Sequence, residues 1–92
     1  MPIRLSSTSA ASIVARARQS KVPVVSYDRL ILNADVDYYL SFDNEQVGKL
    51  QAQALADKLK ADSKGSGSVV MINGAPTDNN AKLFKAGAHS II

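Results

Sequence analysis

Two apolar runs rich in β-branched residues, VPVVSY at 22 to 27 and SVVMIN at 68 to 73, flank a long helical pattern. A run that is apolar on both faces suits a strand covered on both sides, as strands of parallel sheets are. Two such strands joined through a helix form a right-handed βαβ unit. Helical patterns also precede the first run and follow the second. Alternation of this kind specifies the α/β class, with helices layered on a parallel sheet. Pro23 lies near the start of its run, where a missing N–H is tolerated best.

Local patterns mark the elements of a single domain. SSTSAASIVARARQSK offers Ser and Thr as caps, and Ala10, Ile13, Val14 and Ala17 recur at helical spacing, which predicts a helix over about 8 to 20. A strand is expected over 22 to 27, and RLILNADVD follows as a loop over its carboxyl end. YYLSF predicts a short strand at 38 to 42, at a sheet edge. Asp43 or Asn44 is expected to cap a helix over 44 to 62. Gly48, Ala52, Leu55 and Leu59 form its apolar stripe, widened by Val47, Leu50 and Ala54. Small residues there suit close packing on a sheet, while Glu45 and Lys49 stand at the favourable i, i+4 spacing. SKGSGS ends the helix. The strand at 68 to 73 is expected to pair in parallel with 22 to 27, and a last helix runs from about 79 to 91 through Leu83, Phe84 and Gly87. There is no internal repeat.

Composition narrows the functions. The chain has 92 residues, 21% of them charged, a net charge of +3 and no cysteine. Its basic residues are scattered without interleaved aromatics or a recognisable module, which argues against a nucleic-acid partner. Without cysteine there is no thiolate zinc site, thiol nucleophile or disulfide, and no metal or cofactor site is expected. No apolar run approaches the length of a membrane span. MPIRLSSTSA lacks the apolar centre of a secretory signal, so no signal peptide is expected in this chain.

Open parallel sheets bind ligands at the carboxyl ends of their strands. Two polar clusters are predicted there, SYDR after the first run and GAPTDNN after the last. Asp28 and Arg29 combine an acceptor with a fork of donors and could read adjacent hydroxyls. The plainer alternative is an ion pair between them that holds the loop. Asp78, Asn79 and Asn80 stand at a helix start, where one residue suffices as a cap and where Thr77 is also available. The surplus amides suit hydroxyl recognition.

Catalysis finds less support. His89 is the only histidine, and its neighbour Ser90 would not face it on a helix. Asp28 and Asp78 could be imagined as a glycosidase pair, but nothing else in the chain supports one. GSGS at 65 to 68 precedes a strand and is a turn, not a phosphate loop. Tyr27, Tyr38, Tyr39 and Phe42 could stack on a sugar ring, but their strand-like alternation favours core packing for most of them.

VPVVSYDRLI, DVDYYLSFDNEQVGKLQAQAL and GAPTDNNAKLFKAGA, in this order and spacing, resemble the periplasmic sugar-binding proteins of ABC transporters, in their D-xylose-binding branch. The resemblance runs from about Ser7 to the last residue. It implies a partial three-layer αβα sandwich with a parallel sheet, an incomplete N-terminal lobe of the periplasmic-binding-protein-like kind. It also implies a monosaccharide ligand, D-xylose first, with a permease partner and a periplasmic or cell-surface setting for the full-length protein. Asp28, Arg29, Asp78 and Asn80 would hydrogen-bond sugar hydroxyls, with Asn79 beside them. The alternatives are the sugar-sensing core of a LacI-like regulator or chemosensory receptor, and a truncated product without binding activity. The chain alone is expected to bind sugar weakly or not at all and to self-associate.

Overall fold

A computed structural model describes residues 9–92. Its elements in order are α1 (Ala11–Gln19), β1 (Val25–Tyr27), β2 (Tyr38–Leu40), α2 (Asn44–Ser63) and α3 (Asn79–His89). They fall into two compact units. One holds the described residues up to 42 together with 75–80, and the other holds 43–74 with 81–92.

In the first unit, α1 buries Ala10 and Val14, leaves Ala17 half-buried and exposes Ile13. Ala10 occupies the N-cap position and makes no side-chain cap bond. Of the Ser and Thr residues expected as caps, Ser9 stands one position before it, and Ser6, Ser7 and Thr8 lie outside the described residues. Arg16 and Arg18 sit in the last turn, where cations complement the helix dipole.

β1 and β2 pair in parallel, with Val25 opposite Tyr38, Ser26 opposite Tyr39 and Tyr27 opposite Leu40. Asp37 starts the ladder. Its carboxylate accepts from Val24 N at 2.7 Å, and its own N–H donates to Val24 O at 3.0 Å. The strand expected at 68–73 is absent from this sheet, which has two strands among the described residues. Val70 and Ile72 are exposed there. β-branched composition favours an extended backbone, but a strand also needs a partner for its N–H and C=O groups. Paired residues of a ladder share a face, so Val25, Tyr27, Tyr38 and Leu40 form one exposed apolar face. The core packing expected for most of the aromatics is corrected: Tyr27, Tyr38, Tyr39 and Phe42 are all exposed, Tyr39 the least.

In the second unit, the Asp43 carboxylate accepts from Gln46 N at 3.0 Å and caps α2. Asn44, Gly48 and Ala52 are buried, with Val47, Ala56 and Leu59 half-buried on the same side. Leu50, Ala54 and Leu55 are exposed, so the stripe is narrower than expected. Glu45 and Lys49 pair at 3.5 Å. Lys64 ends the helix in the left-handed conformation, φ 56°, and Gly65 N reaches back to Leu59 O at 3.2 Å. Gly48 and Gly87 explain the contact of α2 with α3. A Cβ on Gly48 would strike the carbonyl of Phe84, and one on Gly87 would strike that of Glu45. The small residue at position 48 thus admits the close approach of a second helix.

Candidate functional site

The first polar cluster begins where β1 ends. Asp28 takes φ 69°, a left-handed conformation that Asp tolerates better than most residues. Its N–H donates to Leu40 O at 2.7 Å, one step beyond the last strand pair. Arg29 N donates to Tyr27 O at 2.8 Å, which closes a tight turn. The hydroxyl of Ser26, buried within β1, donates to the carbonyl of Arg29. The chain thus reverses sharply at the strand's carboxyl end.

The second cluster meets this turn inside the same unit. Asp78 Oδ1 accepts from Asn80 N at 2.9 Å, the bond of an N-cap residue at the start of α3. Asp78 Oδ2 lies 3.4 Å from Arg29 Nη1, with the two side chains 20% and 45% exposed. One carboxylate therefore caps a helix and faces a guanidinium that solvent still reaches. Asn80 is buried, and its Nδ2 donates to Asp28 O at 3.1 Å. Ser41 Oγ donates to the same carbonyl, also at 3.1 Å. Asn79 is half-buried at the first position of α3.

Asp28, Arg29, Asp78 and Asn80 are thereby joined. The ion pair anticipated between Asp28 and Arg29 is instead made by Arg29 and Asp78. Asp78 reaches Arg29 because the start of α3 lies against the turn, where Asn80 Nδ2 meets Asp28 O. Ser26 and Ser41 were not foreseen. Their only sequence signal is a small hydroxyl residue beside a strand end, in SYDR and LSFD. His89 is the exposed last residue of α3.

An open cavity of about 300 Å³ adjoins the turn, lined by Tyr27, Asp28, Leu40, Ser41 and Phe42. Among the described residues, no group of three or more His, Cys, Asp or Glu side chains could hold a metal ion. No helix among them is long and apolar enough to cross a membrane. The site offers hydrogen-bond donors and acceptors at a strand end, beside aromatic surface.

A parallel βα framework with a polar cluster at its carboxyl edge defines a class of ligand-binding α/β domains. Residues 4–92 match the family described as periplasmic binding protein domain, and the chain belongs to that family. It is a family of binding proteins rather than enzymes. The chain is 46% identical over 81 residues to the D-xylose-binding periplasmic protein of Escherichia coli (strain K12), covering 88% of this chain and 23% of that protein. It is 41% identical over 87 residues to the multiple sugar-binding periplasmic receptor ChvE of Rhizobium radiobacter, covering 92% and 25%. Among solved structures, an ABC transporter solute binding protein from Clostridium phytofermentans with bound β-D-glucose aligns with a TM-score of 0.85 at 38% identity, covering 94% of this chain and 27% of that one. The chain spans about a quarter of the length of these relatives.

Proposed function

We propose that the chain supplies part of one wall of a monosaccharide site in a periplasmic solute-binding protein of an ABC sugar importer. D-xylose is the preferred ligand and a permease the partner of the full-length protein. One observation carries this reading. The Arg29 guanidinium and Asp78 carboxylate stand 3.4 Å apart at a strand's carboxyl end, partly open to solvent. A charged donor and a charged acceptor side by side can each take a neighbouring hydroxyl, and such bonds are stronger than neutral ones. The Asp28 side chain extends the acceptor set, and Asn79 borders it. The relatives named for D-xylose or multiple sugars, and the structures solved with glucose, support the sugar class. The word receptor in one relative's name supports a second reading, a sensory role for the same site.

The test is a chemical-shift titration of the chain with D-xylose, with D-glucose for comparison. Weak binding is expected, with shifts concentrated at Asp28, Arg29 and Asp78 and reduced by Arg29→Ala. Spectra that stay unchanged at high xylose concentration would sink the proposal.

A further inference from the structure

We infer that Asn80 is a positioning residue: its buried side-chain amide is a strut that holds the main chain of Asp28 in the left-handed turn. The consequence for binding rests on the proposed sugar reading, but the strut does not. Three observations converge on it. Asn80 is only 8% exposed, so its side chain is largely shielded from solvent. Its Nδ2 donates at 3.1 Å to Asp28 O, a main-chain atom that no side-chain substitution at 28 would remove. That residue has φ 69°, a conformation sparsely populated outside glycine, so support from its surroundings counts.

The orientation of the Asp28 carbonyl sets the path of the chain into Arg29. Leu40 O holds the Asp28 N–H on one side, while Ser41 and Asn80 hold its C=O on the other. The peptide unit leading to Arg29 is clamped in this way, and Arg29 then meets Asp78. Asp78 in turn caps the backbone N–H of Asn80. The DNN triplet thus divides its work. Asp78 caps the helix and faces Arg29, and Asn80 sets the turn from behind.

The test uses Asn80→Ala and Asn80→Asp in the 92-residue chain. Aspartate keeps the shape and suits a helix N-terminus, but it sets an acceptor against the carbonyl. Backbone coupling constants and Cα and Cβ shifts at Asp28 report its φ directly. The left-handed signature is expected to be lost or averaged in both variants, while α3 amides stay protected because Asp78 still caps them. Should Asn80→Ala unfold, Asn80→Asp gives the same readout. A retained left-handed signature in every folded variant would overturn the strut.

Xylose titration adds the second arm. Asn80→Asp should weaken binding about tenfold, the equivalent of one misplaced hydrogen bond. Undiminished affinity despite an altered turn would refute the positioning role. A wild-type chain that ignores xylose would count against the sugar reading alone, and the φ measurement would still decide the strut.

Discussion

Asp78 uses both carboxylate oxygens, and the two jobs can be separated by substitution. Asp78→Asn retains a good N-cap but loses the charge facing Arg29, whereas Asp78→Ala loses both. The Arg29 and Asp78 side chains are partly exposed, so their attraction is screened and should contribute less than about 1 kcal/mol to stability. A helix N-cap typically contributes about 1 kcal/mol. In urea unfolding, Asp78→Asn should therefore match Arg29→Ala, with Asp78→Ala about 1 kcal/mol worse than either. Equal losses for all three would mean that the Asn80 N–H bond does not cap α3. In sugar binding the order changes. Arg29→Ala in a sugar-binding full-length context should cost about 2 kcal/mol or more, because a charged donor is lost and hydroxyls go unpaired. Calorimetry with D-xylose measures it.

At the scale of elements, the close approach of α2 and α3 depends on two glycines. In an exposed helix, Gly→Ala stabilises by about 1 kcal/mol through propensity. At Gly48 and Gly87 the added methyl would meet the backbone carbonyls of Phe84 and Glu45, which cannot rotate away as a flexible side chain can. Gly48→Ala and Gly87→Ala should each lower stability by roughly 1–3 kcal/mol, the usual range for overpacking. Thermal unfolding followed by circular dichroism checks this; a raised midpoint would show that the helices are not in contact there. The other end of α2 invites the opposite change. Lys64 holds φ 56° at the C-cap, and glycine adopts that conformation without a Cβ penalty. Lys64→Gly is expected to stabilise the chain by about 1 kcal/mol or less in the same thermal measurement, the left-handed Cβ penalty being offset in part by glycine's larger entropy loss.

For the molecule as a whole, the decisive feature is apolar surface. Val25, Tyr27, Tyr38 and Leu40 are exposed on one face of the two-stranded sheet, and Phe42 lies two residues beyond. Tyr and Phe carry roughly 150–250 Å² each, and Tyr27 is 80%, Tyr38 68% and Phe42 81% exposed. These three alone then leave several hundred Å² uncovered, comparable to the largest patch on a typical monomer. The chain at high concentration should scatter light as oligomers, and Tyr27→Ser with Leu40→Thr should lower that scattering. A concentration-independent monomer mass would show that the face does not self-associate.

Much of the local structure was legible because its causes lie within a few residues. Asp43 caps the helix that begins at Asn44, Glu45 reaches Lys49, and Asp78 caps the helix that begins at Asn79. Each follows from side chains within four positions, where chain entropy leaves little choice. The placing of polar clusters after apolar runs was equally visible, and it located the candidate site. Long-range partners were another matter. Whether β1 pairs with 38–40 or 68–73 turns on which segment meets its free N–H and C=O groups, and both candidates have strand-like composition. Arg29 had a carboxylate next to it in sequence, yet it pairs with Asp78. Asn80 stands beside Asp78 in a run of polar residues, and nothing along the chain showed that its amide would also reach a carbonyl 52 positions away. Propensity and periodicity act along the chain; a left-handed turn, a strand partner and a glycine contact between helices are satisfied only across it, once distant backbones have met.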